Sequence, residues 1–223
     1  GRLRIAFTTA AWNGSAVHAE CVAAVNAAAK LCEALGHHVE EGRPEWDEAA
    51  RAAASRIITS AHTRATLEAR AAALGRPVTG QDVEPLTWAM AEYGRQVSAD
   101  AYARAIPVMH RIGRIVGQFF TRYDMLLTPT MAQPPHKLGV LSLSNPDASA
   151  YLQAILGTIA FTSPFNSAGN PAMSVPLHWS RDGLPIGVQF VAPFGDEAGL
   201  IRLAAQLEAA QPWFDRRPPV HGA

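Results

Sequence analysis

The chain has 223 residues, of which 48% are hydrophobic, so a substantial core can form. Its 19 basic and 19 acidic residues balance to a formal charge of zero, which argues against a nucleic acid or an anionic membrane as a general partner. No apolar run approaches the roughly 20 residues that span a bilayer. Cys21 and Cys32 share one helical pattern but would lie roughly 16 Å apart along its axis, too far for a disulfide. These features predict a soluble, cytoplasmic protein with two free, buried thiols.

The start of the chain predicts a strand, a helix and a second strand. Residues 3–7 alternate between apolar and polar or small side chains, the pattern of a strand with one covered face. Apolar residues at helical spacing occupy residues 17–35, Gly36 is placed to end that helix, and residues 37–41 predict the second strand. A strand, a helix and a strand with short connections form a crossover unit with parallel strands. We expect this unit to join a sheet whose other strands lie upstream of this sequence.

The middle of the chain predicts helices. Residues 47–74 are rich in Ala and Arg and end at Gly75, and residues 86–120 predict one long or two shorter helices with Pro107 as a kink or restart. The first of these helices carries a row of polar residues at spacings of three and four. The row is either a solvated helix face or the wall of a substrate channel, which needs hydrogen-bonding groups among apolar neighbours. Its members are Thr59, His62, Thr63 and Thr66.

A short strand, a long loop and a helix follow. Residues 125–127 predict a strand that stops at Thr128 and Pro129. Residues 131–146 carry three prolines and predict a long surface loop, a kind of segment that is usually functional or disordered. Residues 148–159 return to helical character.

The last third of the chain predicts a tight loop, a hairpin and a helix. Residues 162–171 carry Ser, Pro, Asn or Gly at almost every position, the composition of a turn. Two apolar runs, residues 172–179 and 184–191, are joined by a short segment in which Gly183 can take the positive φ of a hairpin loop. Asp196 is placed to cap a final helix. Together with the crossover unit, these elements predict an α/β fold with a mixed sheet and helices on both faces.

Three stretches of the chain resemble the amidase signature family of serine amide hydrolases. They are residues 123–130, residues 161–176 continued by residues 182–190, and residues 192–197. Over essentially the whole chain, the sequence is most similar to the members that open cyclic nylon-oligomer amides, the 6-aminohexanoate-cyclic-dimer hydrolases. The resemblance implies the C-terminal half of the amidase signature fold. It also implies hydrolysis of a carboxylic amide, of a cyclic or linear aminohexanoate type, through a serine nucleophile.

The residues that perform the chemistry in this family have no counterpart in the sequence. The resemblance implies a Lys and two Ser residues in the N-terminal half, with the nucleophile in a Gly- and Ser-rich segment, and no such segment is present. The two lysines, Lys30 and Lys137, lie outside the family's lysine motif. Ser163, Ser167 and Ser174 lie close to Gly or Pro, but loops favour Ser and no Gly-x-Ser-x-Gly elbow occurs. We therefore predict no catalytic residue in this sequence.

The sequence thus predicts a single domain, residues 1–223, that is inactive alone and completes an amidase whose N-terminal half is absent here. The resemblance implies that this domain helps to wall the acyl or leaving-group pocket. Asn166 suits a left-handed backbone, and Gly169 permits close approach of another segment. The candidate substrate-binding residues are Thr128, Pro129, Thr130, Asn166 and Gly169, together with Thr59, His62 and Thr63 from the polar row.

No cofactor or metal is expected, because the eight histidines are scattered and no His-Glu-x-x-His or paired Cys-x-x-Cys spacing supplies ligands. The expected partners are a small-molecule amide, the N-terminal half and, in a homo-oligomer, further copies of the chain. Two alternatives stay open. One is a binding module that keeps the pocket without the chemistry, which ligand binding without turnover would favour. The other is a subunit similar to the family members that release ammonia for transfer to aminoacyl-tRNA, which stable association with other subunits would favour.

Overall fold

The computed structural model describes residues 1–145 and 147–217. Within them, capping residues begin and end several helices at the positions that the sequence predicts. Asp47 caps the long second helix by accepting a hydrogen bond from the Ala50 N–H, and Gly75 ends it with a φ of +65°. The elements in chain order are β1 (Arg4–Phe7), α1 (Ala19–Ala34), β2 (His38–Glu41), α2 (Glu48–Leu74), α3 (Pro85–Arg95), α4 (Ala99–Phe119), β3 (Met125–Pro129), α5 (Ala148–Thr158), α6 (Ser163–Ala168), β4 (Ala172–Trp179), β5 (Pro185–Val191) and α7 (Glu197–Ala210).

The chain divides into two compact units. The first consists of Gly1–Pro44, Val116–Pro135 and the chain from Ile159 onwards, and it holds the five strands with α1, α6 and α7. The second consists of Glu45–Ile115 and His136–Thr158, and it holds α2, α3, most of α4, and α5. The expectation of a single domain stays a prediction. Among the described residues, no helix combines the length and the apolar character that crossing a bilayer requires.

The strands of the first unit form one mixed sheet in the order β2-β1-β3-β5-β4. β1 pairs in parallel with both β2 and β3, whereas β5 runs antiparallel to both β3 and β4. The parallel pairing of β1 with β2 across α1 is the predicted crossover unit. The predicted hairpin is also present, with Gly183 at a φ of +75° in its loop. The α/β class, with a mixed sheet flanked by helices, is therefore confirmed.

One face of the sheet packs against α1 and α7. From α7, Leu200, Leu203 and Leu207 are buried in this core. From α1, Cys21 and Cys32 are buried as free thiols, and burial raises their pKa values to about 11 and about 12. The strand residues in this core are Ile5, Met125, Leu127, Val175, Leu177, Ile186, Val188 and Phe190.

β1 differs from the prediction of one covered face. Ile5 and Ala6 are both fully buried, although successive strand residues point to opposite faces. The reason is the position of β1 inside the sheet, between β2 and β3, where both faces are covered. A strand of four residues is too short for its own pattern to reveal this.

β3 also runs further than predicted, because Thr128 and Pro129 belong to the strand instead of ending it. Thr128 pairs with Gln189 of β5, and the register along β3 directs the backbone nitrogen of Pro129 towards β1. The pairing of β1 with β3 ends at Leu127. Pro129 lies beyond it, so the sheet loses no hydrogen bond because Pro129 has no N–H. The prediction that these two residues stop the strand is wrong.

The helical region of residues 86–120 consists of two helices, but their junction is not at Pro107. The break falls at residues 96–98, and Pro107 lies inside α4. Ser98 Oγ accepts a hydrogen bond from the Ala101 N–H, which is how a serine begins a helix. Further on, residues 131–145 contain neither helix nor strand, as predicted for the surface loop. Pro146, the end of that predicted loop, lies outside the described residues.

Arg4 and Asp124 hold the starts of β1 and β3 together. The Asp124 carboxylate accepts hydrogen bonds from the Arg4 backbone N–H at 2.7 Å, from Nε at 3.2 Å and from Nη2 at 2.8 Å. These bonds hold the pKa of Asp124 below its usual value. Since the pKa is lower in the folded chain than in the unfolded one, the pair stabilises the fold at neutral pH, and this stabilisation is lost as the pH falls through the folded value.

We therefore expect Asp124→Asn to lower the urea midpoint at pH 7, by an amount that shrinks as the pH falls below about 4. Urea denaturation followed by circular dichroism at several pH values measures this difference. Asp182→Asn, at an exposed carboxylate in the hairpin loop, is the control. A loss of stability for Asp124→Asn that is equal at every pH would contradict the prediction.

Candidate functional site

Gln189 joins two of the segments that are predicted to line the site. Its side chain is only 4% exposed, and its Nε2 donates to Thr128 Oγ1 at 3.0 Å and to the backbone carbonyl of Phe161 at 3.4 Å. Thr128 is the cross-strand partner of Gln189, so the two side chains lie on the same face of the sheet. The Thr128 hydroxyl in turn donates to the Pro129 carbonyl at 2.9 Å. One buried amide therefore ties β3 to the segment that leads into α6.

That segment is not the open loop predicted for residues 162–171, because it contains the short helix α6. Pro164 lies in the first turn, where its missing N–H is not required. Gly169 ends the helix with a φ of +75°, and the N–H groups of Gly169 and Asn170 both donate to the Phe165 carbonyl. Asn166 lies within the helix, so the left-handed backbone considered for this residue is not present.

Two buried phenylalanines hold α6 in place. Phe161 and Phe165 are 0% and 1% exposed, and each ring meets the ring of Trp12 edge-on, with centroids 6.1 Å and 5.8 Å apart. The Trp12 indole N–H donates to the Pro44 carbonyl at 2.8 Å. Trp12 follows β1, so an early part of the chain supports a late one.

Asn166 and Gly169 are the exposed residues of this segment. A Cβ on Gly169 would meet the ring of Phe194 at 3.5 Å, an ordinary contact, so the positive φ rather than crowding makes glycine necessary here. The Phe194 side chain is itself 81% exposed. An exposed aromatic ring of this kind can contact the apolar part of a ligand. Sequence analysis did not single out Phe194.

The hydroxyl groups of Thr130 and Ser174 contact each other across β5, the strand between β3 and β4. Thr130 Oγ1 and Ser174 Oγ are 2.7 Å apart, above Gly187 of β5. A Cβ on Gly187 would collide with Ser174 Oγ and approach Thr130 Oγ1 at 3.0 Å, so only glycine leaves room for the pair. Ser174 thus contacts another hydroxyl, which provides no general base of the kind that activates a serine.

The other groups considered for catalysis are also poorly placed for it. Ser167 Oγ donates to the backbone carbonyl of Ser163 at 3.2 Å. Lys30 and Lys137 are both exposed, whereas a catalytic lysine has to be held against its partner. Among the described residues, no group of three or more His, Cys, Asp or Glu side chains is arranged to hold a metal ion.

The polar row of α2 belongs to the second unit. His62 Nε2 lies 2.9 Å from the phenol oxygen of Tyr102 in α4, and both Thr59 and His62 are exposed. Thr63 Oγ1 donates to the Thr59 carbonyl at 2.9 Å, so this hydroxyl is satisfied within its own helix. His62 and Tyr102 therefore form the main polar feature of this row. Sequence analysis found His62 but not Tyr102, which is 40 positions away along the chain.

The comparisons with known proteins agree on one family. The sequence profile of the Amidase family matches residues 1–201. Two curated 6-aminohexanoate-cyclic-dimer hydrolases, from Paenarthrobacter ureafaciens and from Pseudomonas sp. (strain NK87), are 37% and 36% identical to this chain over 211 residues. A solved structure of 6-aminohexanoate cyclic dimer hydrolase complexed with substrate superposes with a TM-score of 0.89 at 34% identity, over 98% of this chain and 47% of that one.

The alignments with the two curated hydrolases cover 91% of this chain but 43% of each relative. This chain therefore spans less than half the length of the curated relatives that it matches. The family profile extends over most of the chain, and the superposition extends over nearly all of it. The resemblance seen in the sequence is confirmed, and the chain belongs to the amidase signature family.

Proposed function

We propose that this chain is the C-terminal half of a serine amidase that hydrolyses a cyclic or linear aminohexanoate-type amide. The observation that carries this proposal is the 37% identity to a 6-aminohexanoate-cyclic-dimer hydrolase over 91% of the chain. The geometry adds support, since Gln189 links the two segments that the sequence assigns to a pocket wall. The N-terminal half is the proposed partner.

In the proposed reaction, the nucleophilic serine lies outside these 223 residues. It attacks the amide carbonyl, a lysine and a second serine pass its proton to the leaving nitrogen, and the amine departs. Water then attacks the acyl-serine, which releases the acid and restores the serine. In support, the chain has no Gly- and Ser-rich nucleophile segment, and Lys30 and Lys137 are both exposed. The chain alone is therefore proposed to be inactive.

This chain is proposed to supply part of the pocket wall. Thr128 and Pro129 are buried in β3, which suits them to hold the wall in shape. Thr130 is partly exposed and Asn166 and Gly169 are exposed, which suits their polar groups to contact the amide. We propose separately that the polar groups of Thr59, His62 and Thr63, which belong to the second unit, contact the substrate. The alternatives of a binding module and of an ammonia-releasing subunit have weaker support, because both curated relatives described above are hydrolases by name.

A chimera tests the proposed function. In it, this chain replaces the matched 211 residues of the Paenarthrobacter ureafaciens hydrolase. We expect the chimera to convert 6-aminohexanoate cyclic dimer into linear dimer, as measured by liquid chromatography and mass spectrometry. We expect the 223-residue chain alone to show no turnover above buffer.

Two results would contradict parts of this proposal. Turnover by the chain alone that survives the combined substitutions Ser163→Ala, Ser167→Ala and Ser174→Ala would show that the nucleophile is assigned to the wrong part of the protein. A chimera that unfolds cooperatively, and is therefore folded, but leaves both the cyclic and the linear dimer intact would show that the substrate class is wrong.

A further inference from the structure

The face of β5 that points away from α1 and α7 is polar. Gln189 and Gly187 lie on it, because strand residues two positions apart point to the same side. Thr128 and Ser174 lie directly opposite Gln189 on the two neighbouring strands. Just beyond β3, the Thr130 N–H donates to the Gly187 carbonyl at 3.3 Å. The other face of these strands carries apolar residues of the core, which are Leu127, Val175, Val188 and Phe190.

This polar face is closed at one end and open at the other. Thr128 and Gln189 are 0% and 4% exposed, and their side chains bond to each other. Ser174 is exposed, and Thr130 is partly exposed. Their hydroxyls occupy the space above Gly187, where a Cβ would collide with Ser174 Oγ. The open end therefore presents two hydroxyls over the backbone of Gly187.

The hydroxyl pair has hydrogen-bonding capacity to spare. Each hydroxyl has one hydrogen and two lone pairs. The bond between Thr130 Oγ1 and Ser174 Oγ, which are 2.7 Å apart, uses one hydrogen and one lone pair. Within residues 1–145 and 147–217, neither oxygen forms another hydrogen bond. The pair can therefore donate to one group of a ligand and accept from another at the same time.

Gln189 supplies a further acceptor on the same face. Its side-chain orientation is fixed by the Phe161 carbonyl, which can only accept, so the nitrogen Nε2 lies on that side. Nε2 also donates to Thr128, whereas Oε1 accepts no hydrogen bond within the described part of the chain. Polar groups of residues this deeply buried normally have a partner. Oε1 therefore indicates a place for a hydrogen-bond donor from a ligand.

A carboxamide is the chemical group that matches these partners. Its C=O accepts from the remaining hydroxyl hydrogen, and its N–H donates to a hydroxyl lone pair or to Gln189 Oε1. A cyclic dimer of 6-aminohexanoate contains two amides, and one hydrolytic step opens one of them. The other amide also loses water when the ring enters a pocket, which costs binding energy unless the protein replaces those hydrogen bonds.

We propose that Ser174 and Thr130 bind the amide of the substrate that is not cleaved, and that Ser174 is a specificity-determining residue. The inference rests on the proposed function, since only a substrate with two amides carries such a group. A ligand without the second amide leaves Gln189 Oε1 without a donor and the two hydroxyls bonded only to each other. A site built to bond a polar group discriminates against ligands that lack it.

Two cyclic ligands test this proposal in the chimera described above. One is 6-aminohexanoate cyclic dimer, and the other is the lactam of the same ring size that contains a single amide. The affinity of the chimera for each ligand is taken from KM where the ring is opened and from titration calorimetry where it is not. We expect the chimera to prefer the diamide, and we expect Ser174→Ala to lower the ratio of the two affinities about tenfold.

A second variant and a control accompany Ser174→Ala. Thr130→Val keeps the shape of the side chain but loses the hydroxyl, and it is expected to lower the same ratio by a similar factor. Thr121→Val is the control, because the Thr121 hydroxyl donates to the backbone carbonyl of Gln118 at 2.8 Å, and it is expected to change the ratio less than about twofold. The ratio is the readout because a substitution that only loosens the fold weakens the binding of both ligands.

Each other outcome decides against a stated part of the argument. A ratio that Ser174→Ala and Thr130→Val leave unchanged, or a chimera that binds the diamide no better than the lactam, would overturn the proposal. If Ser174→Ala does not unfold cooperatively, Thr130→Val decides. A chimera that opens the ring with an unchanged ratio contradicts this inference alone. An inactive chimera whose preference for the diamide depends on Ser174 contradicts the proposed function alone.

Discussion

Gly94→Ala is expected to lower the free energy of unfolding by about 2–3 kcal/mol, through the cost of overpacking. A Cβ at this position of α3 would collide with the backbone carbonyl of Ser60 in α2 and approach the Arg64 Cβ at 3.1 Å. Ser60 is only 1% exposed, and backbone cannot rotate away as a side chain can. One helix must therefore move. Thermal and urea denaturation followed by circular dichroism measure the effect.

Gly117→Ala is the matched control. Gly117 also lies inside a helix, α4, but outside its own stretch of helix backbone no described atom lies within 4 Å of the position its Cβ would take. Only the intrinsic helix propensity changes there, so stability is expected to rise by up to about 1 kcal/mol. The same chemical change is thus expected to act in opposite directions at the two sites. A similar effect at both would contradict the close contact between α2 and α3.

The contact at Gly94 also matters for the candidate site, because α2 carries Thr59, His62 and Thr63. Ser60 lies among these residues in the sequence, so a shift of α2 that relieves the collision also moves the polar row. We expect Gly94→Ala to disturb the hydrogen bond between His62 and Tyr102, and the His62 ring signals in an NMR spectrum to shift. Gly117→Ala is expected to leave those signals in place.

Gln189→Leu is expected to cost about 2 kcal/mol of stability. The substitution keeps a similar volume but leaves the Thr128 hydroxyl and the Phe161 carbonyl without the donor that joins them. Leaving buried polar groups unsatisfied costs about 1–3 kcal/mol. In the chimera described above, we also expect slower amide hydrolysis, because α6 is no longer tied to β3. Denaturation and the product assay measure the two effects.

Gln118→Leu is the control for this change, at an exposed glutamine of α4, and it is expected to alter stability by less than about 0.5 kcal/mol. Combining Gln189→Leu with Thr128→Val removes both partners of one hydrogen bond. The combined loss is expected to be smaller than the sum of the two single losses, because each single change already breaks the shared bond. Additive losses would show that the two side chains do not act together.

Several elements could be predicted because their signals are local. Asp47 and Gly75 delimit α2, Gly183 turns the hairpin, and Asp196 caps α7 by accepting from the Gly199 N–H at 3.0 Å. A cap or a turn depends on a few neighbouring residues, so it can be predicted from the local sequence. The junction at residues 96–98 was misjudged because the proline at position 107 is a stronger breaker on average than the serine that starts α4.

The candidate site was predictable only in part. Family resemblance suggested two segments, one with Thr128 to Thr130 and one with Asn166 and Gly169. It did not suggest the residue that links them. Gln189 lies in an apolar strand, and its isolated polarity was the one available signal that it needs a buried partner. Its partner Thr128 lies 61 positions away, so the link exists only once the strands pair.

By itself, the sequence determined the class of fold, most helix and strand boundaries, the free cysteines and the family, because these depend on local periodicity, capping residues and matched motifs. Only the tertiary structure decided that both faces of β1 are covered, that residues 162–171 contain a helix held on Trp12, and that Gln189 ties that segment to β3. The physical reason is that burial and hydrogen bonding between distant residues depend on which strands become neighbours. The sequence of one strand does not determine which strands it pairs with.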